Sequence, residues 1–341
     1  MNTPYDLEIS KVLNWIKTEK ANKVLIQAPD GIKPYLTSLI TRLKAEGIEI
    51  FISGSHTWGG CDIAIDEARA LNINHIIHIG HHGPVRALIR DYKVLFIPGR
   101  SKVDIKPVVR KAARILRERG ALKVALMSTI QHIHRLNEAA EILREEGLSA
   151  VIGKSPDPLM QEGLLIGCDM RGLNVNKRYD SVIVISGGIF HGLGAALWTS
   201  KKVIAADPYL NKVTDMEKYV IKVISRRLKD ISDALESRKI LIVTSTKPGQ
   251  SLVSQVSKIK KALTKIHKEV YVAIFNEITR EKLENMGKYD TYINAACPRL
   301  AIDNRELFPG PVVNIGETPY LLGKELEKYD PRDIFKLNIF L

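Results

Sequence analysis

The chain of 341 residues contains three cysteines, Cys61, Cys168 and Cys297. None stands near another, so no Cys-x-x-Cys pair builds a zinc ribbon or a ferredoxin loop. An odd number of dispersed thiols also argues against a secreted disulfide framework and for a reducing compartment. Their settings are alike. Cys61 follows Gly59-Gly60 and precedes Asp62, Cys168 follows Gly167 and precedes Asp169, and Cys297 sits in Ala296-Cys-Pro-Arg299. Glycine lets backbone approach a bulky ligand closely. Asp62 is expected to cap a helix running through Ile63, Ala64 and Glu67, and a helix start favours thiolate over thiol. Three thiolates at one place suit two kinds of centre. One is a zinc ion with a fourth ligand from His56, His81, His82 or His191. The other is a [4Fe–4S] cluster with one iron left without a protein ligand.

The elements that must position these thiols repeat three times. Lys23-Val-Leu-Ile-Gln, Lys123-Val-Ala-Leu-Met and Lys239-Ile-Leu-Ile-Val read as first strands, each opening into a polar loop. Apolar stripes follow at helical spacing: Leu36, Leu39, Ile40, Leu43; Leu136, Ala139, Ala140, Leu143; Leu252, Val256, Ile259, Leu263. Second strands come at residues 49–52, 149–152 and 269–274. Third strands come at 75–79, 181–185 and 291–294, and fourth strands at 92–97, 201–205 and 311–315. Strands alternating with helices imply parallel sheets covered on both faces, with right-handed crossovers.

The fold class is therefore α/β, as three similar Rossmann-like domains, each a small parallel sheet flanked by helices, around a central cluster. Stripes at Val108 to Leu116, stopping at Gly120, and at Val220 to Leu235 read as linking helices. They set domains of 1–105 with Cys61, 106–213 with Cys168 and 214–341 with Cys297. One continuous sheet is the alternative. Each thiol falls in a loop beyond a strand, where open parallel sheets form ligand sites.

Other residues at those sheet edges are candidates for a cofactor pocket. Ser186-Gly187-Gly188-Ile-Phe-His191 follows a strand, and its glycines either admit a ligand or make a tight turn. Lys247-Pro-Gly-Gln250 reads similarly. Arg299 either binds a carboxylate bidentately or pairs with Asp303. Gln27, Asp30 and Gln131 stand at the ends of first strands and serve either a ligand or local turns and caps.

The net charge of +13 arises from 51 Lys and Arg against 38 Asp and Glu. It suits an acidic macromolecular partner, or reflects general lysine enrichment. The first residues lack the pattern of a signal peptide. Ser181 to Ser200 carries no Lys, Arg, Asp or Glu, but its glycines and His191 make it strand, loop and helix rather than a membrane span. A cytoplasmic protein is expected.

Gln27-Ala-Pro-Asp-Gly, Gly60-Cys-Asp, Gly167-Cys-Asp, Ser186-Gly-Gly-Ile-Phe-His, Ala205-Ala-Asp-Pro-Tyr and Ala296-Cys-Pro-Arg-Leu-Ala-Ile-Asp, in this order, resemble the archaeal enzymes of the first step of diphthamide biosynthesis. The resemblance runs from about residue 20 to about 320. It implies a [4Fe–4S] cluster held by Cys61, Cys168 and Cys297, with S-adenosylmethionine as co-substrate at the open iron. The implied chemistry is a non-classical radical one, without the CxxxCxxC loop, that releases methylthioadenosine. The 3-amino-3-carboxypropyl group passes to imidazole C2 of a histidine on translation elongation factor 2. The resemblance also implies a homodimer, an external electron donor, and neither membrane nor direct nucleic-acid binding. Gln27, Asp30, Gly187, Gly188, His191, Gln250 and Arg299 become the expected cofactor-binding residues. The alternative is a zinc-stabilised nucleotide-binding scaffold without redox chemistry.

Overall fold

The first of three parallel sheets starts at the apolar run of β2, whose Val24, Leu25 and Ile26 are all buried. The structure, a computed structural model, describes residues 3–83, 91–174 and 178–338. Its first third contains β1 (Tyr5–Asp6), α1 (Ile9–Glu19), β2 (Lys23–Gln27), α2 (Thr37–Ala45), β3 (Glu49–Ile52), α3 (Ile65–Ala70), β4 (His75–Ile79), β5 (Lys93–Ile97) and β6 (Arg100–Ser101). The middle contains α4 (Lys106–Glu118), β7 (Lys123–Ser128), α5 (Leu136–Glu145), β8 (Ser149–Ile152), β9 (Ser181–Ile185), α6 (Phe190–Trp198), β10 (Lys202–Asp207) and β11 (Lys212–Asp215). The last contains α7 (Glu217–Leu235), β12 (Lys239–Ser245), α8 (Val253–Lys265), β13 (Glu269–Phe275), α9 (Arg280–Glu284), β14 (Thr291–Ala295), α10 (Leu300–Asp303), β15 (Val312–Asn314) and α11 (Thr318–Leu321).

The sheets run β3-β2-β4-β5, β8-β7-β9-β10-β11 and β13-β12-β14-β15. The same order, second strand, first, third, fourth, recurs each time. All pairs are parallel except β10 with β11. The sheets are separate, so the alternative of one continuous sheet is not what forms. In this order the chain reverses direction between the first and third strands, and the crevice at their carboxyl ends is where ligands bind.

Two features depart from the expected pattern. β11 is an antiparallel edge strand that crosses residue 213. It returns from β10 through a four-residue loop in which Asn211 adopts a left-handed φ of 46°. Lys212-Val-Thr-Asp carries no apolar run, which is why the sequence pattern passes over it. β1 and β6 form a separate antiparallel ribbon, with Tyr5 opposite Ser101.

Helices follow the expected stripes. α4 buries Val108, Val109, Ala112, Ala113 and Leu116, and Gly120 at φ 78° ends it, donating to Arg117 O at 2.9 Å. α7 spans two cores. Its first half packs Val220, Val223 and Ile224 beside the second sheet, and its last half packs Ile231 and Ala234 beside the third. Fully buried Arg227 anchors the junction, donating to Glu317 Oε1 at 3.1 Å, Asp230 Oδ2 at 3.1 Å and Val312 O at 2.7 Å. Among the described residues no helix is long and apolar enough to cross a membrane.

Candidate metal centre

The loops beyond the strands of all three sheets enclose one cavity of about 610 Å³, and Cys61, Cys168 and Cys297 all line it. None of the three is in a disulfide. Cys61 lies on the loop from β3 to α3. A Cβ at Gly59 would stand 3.2 Å from the Cys61 sulfur, so glycine there keeps the space around the thiol open. Cys168 sits at the tip of a tight turn in which Asp169 N donates to Ile166 O at 3.0 Å. A Cβ at Gly167 would meet the Phe190 ring at 2.8 Å, so a side chain beside this thiol would have to displace that ring. Cys297 follows β14. Asn294 Nδ2 donates to Cys297 O and to Asn314 Oδ1, both at 2.8 Å, and Asn314 Nδ2 donates to Pro298 O at 2.9 Å. Two buried amides at the ends of β14 and β15 thus fix the third thiol. Their signal in the sequence is a lone asparagine in each of two apolar strands.

The third sheet also supports Cys61. Gly249 N donates to Cys61 O at 2.8 Å, and Gln250 Nε2 approaches the Cys61 sulfur at 3.4 Å. Lys247 Nζ lies 2.8 Å from both carboxylate oxygens of Asp62, with both side chains nearly buried. Asp62 therefore caps no helix. α3 begins at Ile65, and Asp62 is drawn instead to a cation from another sheet and to Trp58 N at 3.2 Å.

Burial pushes the Cys61 thiol up, and burial with the nearby Cys61 and Cys168 sulfurs pushes Cys297 up to about 12. Thiols gathered at one buried place ionise together only with a cationic group between them. Among the described residues no three His, Cys, Asp or Glu side chains come close enough to hold a single metal ion. The thiols surround a space rather than a point, which fits a cluster larger than one zinc ion. The histidines considered for zinc are otherwise engaged or unpaired: His56 bonds Asp30, His82 Nε2 bonds Leu159 O at 2.8 Å, and His191 Nδ1 is buried with no partner.

The other expected site residues divide. Gly187, His191 and Arg299 line the cavity, and Gln250 touches it through Cys61. Arg299 is 3% exposed, and its Nε donates to Asp303 at 2.6 Å. The guanidinium lies 3.9 Å over the Phe190 ring, and Nη1 has no partner. Gln27, Asp30 and Gly188 do not line it. Gln27 is fully engaged: Nε2 donates to Asp62 O at 2.6 Å, while Oε1 accepts from Ala64 N at 3.0 Å. Asp30 is an exposed carboxylate held by Lys33 and His56. Gly188, at φ 65°, donates to Asp207 Oδ2 at 2.8 Å in a strand-to-helix turn. Gln131 lines the cavity and bonds Gly80 O across the first two units.

His81, Thr129, His132 and Tyr209 complete the wall. Burial holds His81 and His132 down to about 4 and His191 to about 3, the last with help from Arg299, so all three imidazoles are neutral. Sequence reasoning offered His81 as a zinc ligand or a solvated loop residue, placed Lys247 in a candidate cofactor loop without its pairing to Asp62, and missed His132. Neither that pairing nor His132 carries a local signature.

A chain of parallel sheets that turns one thiol from each onto a shared cavity is an α/β protein built around a multi-metal cofactor. It belongs to the diphthamide synthesis protein family, whose profile matches residues 28–331. It is 31% identical to 2-(3-amino-3-carboxypropyl)histidine synthase of Pyrococcus horikoshii over 96% of this chain and 93% of that protein. Identity to subunit 1 of the same synthase from Kluyveromyces lactis is 29%, over 98% of this chain and 80% of that one. The crystal structure of Dph2 from Pyrococcus horikoshii with a 4Fe-4S cluster superposes with a TM-score of 0.84 at 30% identity, over 96% of this chain and 93% of that chain.

Proposed function

We propose that this protein is a 2-(3-amino-3-carboxypropyl)histidine synthase of diphthamide biosynthesis. It transfers the 3-amino-3-carboxypropyl group of S-adenosylmethionine to imidazole C2 of a histidine on translation elongation factor 2. The observation that carries this reading is the convergence of three separated thiols on one cavity, in a chain similar throughout to the Pyrococcus horikoshii synthase. Cys61, Cys168 and Cys297 hold a [4Fe–4S] cluster. When bound, the cluster would supply the electron that opens the sulfonium, an external donor having first reduced it.

The chain's own residues bind, orient and exclude water. Gln250 directs an amide at the Cys61 sulfur, the kind of contact that tunes a cluster's potential. Arg299, held on Asp303 and Phe190, brings an unpartnered Nη1 for a carboxylate. Gly187 leaves one wall without a side chain.

The repeated sheet order supports three Rossmann-like domains, with boundaries near residue 105 and just beyond β11. The charge of +13 suits an acidic protein substrate. A cytoplasmic homodimer is the assembly we infer.

Anaerobic reconstitution with iron and sulfide, followed by dithionite and S-adenosylmethionine, tests the reading. It should give a brown protein that releases methylthioadenosine and adds the aminocarboxypropyl mass to elongation factor 2. A reconstituted protein that stays colourless would overturn it.

A further inference from the structure

Replacing hydrogen by carbon at imidazole C2 requires a proton acceptor. The sulfonium S–C bond breaks, the C–C bond to C2 forms and the C2–H bond breaks. The positive charge lost at sulfur reappears as the released proton, so the balance needs no outside oxidant. The cavity wall holds three neutral imidazoles, and the structure fixes the tautomer of one.

The argument starts at Gln27. Its amide cannot be flipped, because Nε2 faces a carbonyl, Asp62 O at 2.6 Å, and Oε1 faces an N–H, Ala64 N at 3.0 Å. His78 Nδ1 lies 3.1 Å from that same Oε1, which can only accept. Nδ1 of His78 therefore carries the proton. Fully buried, with its pKa held well below the ordinary histidine value by burial and by His81, His78 is neutral, so its Nε2 is a lone pair. His81 Nδ1 stands 3.0 Å from it and must donate. Because His81 is also neutral, its Nε2 is the unprotonated nitrogen. His81 lines the cavity with the three thiols.

We propose that His81 is the catalytic base that accepts the C2 proton of the substrate histidine through Nε2, and that Gln27 and His78 are positioning residues that fix its tautomer. The inference rests on the synthase reading above. His191 is the weaker candidate, because the Arg299 guanidinium beside it opposes proton uptake. His132 has both ring nitrogens buried without a hydrogen-bond partner, so nothing in the structure fixes its tautomer. Burial alone acts on His81.

Two measurements test this. Long-range ¹H–¹⁵N spectra of the metal-free protein, labelled at histidine, should show His78 and His81 both as the Nδ1–H tautomer. Gln27→Met should return His78 to the Nε2–H form. An Nε2–H signal for either histidine in the unaltered protein overturns the proposal without any turnover. In the reconstituted enzyme the readout is modified histidine formed per methylthioadenosine released. That ratio should fall about a hundredfold in His81→Asn, and in part in Gln27→Met. An unchanged ratio in His81→Asn overturns the base assignment. Absence of methylthioadenosine from the unaltered enzyme would instead overturn the synthase reading.

Discussion

The loops around Cys61 and Cys168 share the tripeptide Gly-Cys-Asp, yet their aspartates do different things. Asp169 binds locally: its carboxylate takes Arg171 Nε at 2.9 and 3.0 Å and Arg171 N at 2.9 Å, two residues along the chain. Asp62 reaches across the molecule to Lys247, on a loop of the third sheet. The first arrangement stabilises one turn. The second fastens two sheets together behind a metal ligand, reinforced by Gly249 on Cys61 O and Gln250 on Cys61 Sγ. One motif thus supports either a turn or an interface, and the partner's position decides which.

Replacing the thiols themselves should erase the distinction: Cys61→Ser and Cys168→Ser should both lose the cluster, read as iron and sulfide content after reconstitution. Retention of a full cluster by either variant would break the shared-site reading. Next in size is Lys247→Met, which leaves the Asp62 carboxylate buried and unpaired. Chemical denaturation should show a loss of about 3 kcal/mol, and iron titration a roughly tenfold weaker cluster. Gly167→Ala forces a Cβ against Phe190 and should cost about 1–3 kcal/mol in the metal-free protein.

The cavity histidines give a pH effect. Their folded pKa values are depressed, so the unfolded chain binds more protons below its own histidine pKa. Their contribution is complete above about pH 6.5 and is lost as the pH falls towards 4. Denaturation midpoints of metal-free protein should therefore drop between pH 7 and 5; equal midpoints would contradict the neutral wall. The smallest change is Asp169→Asn. Its partner Arg171 is 38% exposed, so the loss should stay below about 1 kcal/mol. A cost matching Lys247→Met would remove the contrast between the loops.

Much of this was legible beforehand. The apolar runs and helical stripes located every strand of the three repeated sheets except β11, whose pairing depends on a hairpin and not on its composition. The thiols were legible because each lies beyond a strand. The pocket was less so. Gln27 was expected at a ligand, but its carboxamide satisfies two backbone groups and orients His78. Asp30 shares its short motif yet points to solvent. Nothing in the spacing separates these outcomes, since both residues lie at the carboxyl end of the same strand.

The sequence by itself determined the repeated α/β units, the lone thiol in each and the glycines beside two of them, because strand and helix periodicity and steric room are local properties. Folding in space alone brings the thiols to one cavity, Lys247 to Asp62, and Gln27, His78 and His81 into one hydrogen-bonded row. Those facts depend on side chains brought together from distant segments, and hydrogen bonding and burial act over a few ångströms of space whatever the separation along the chain.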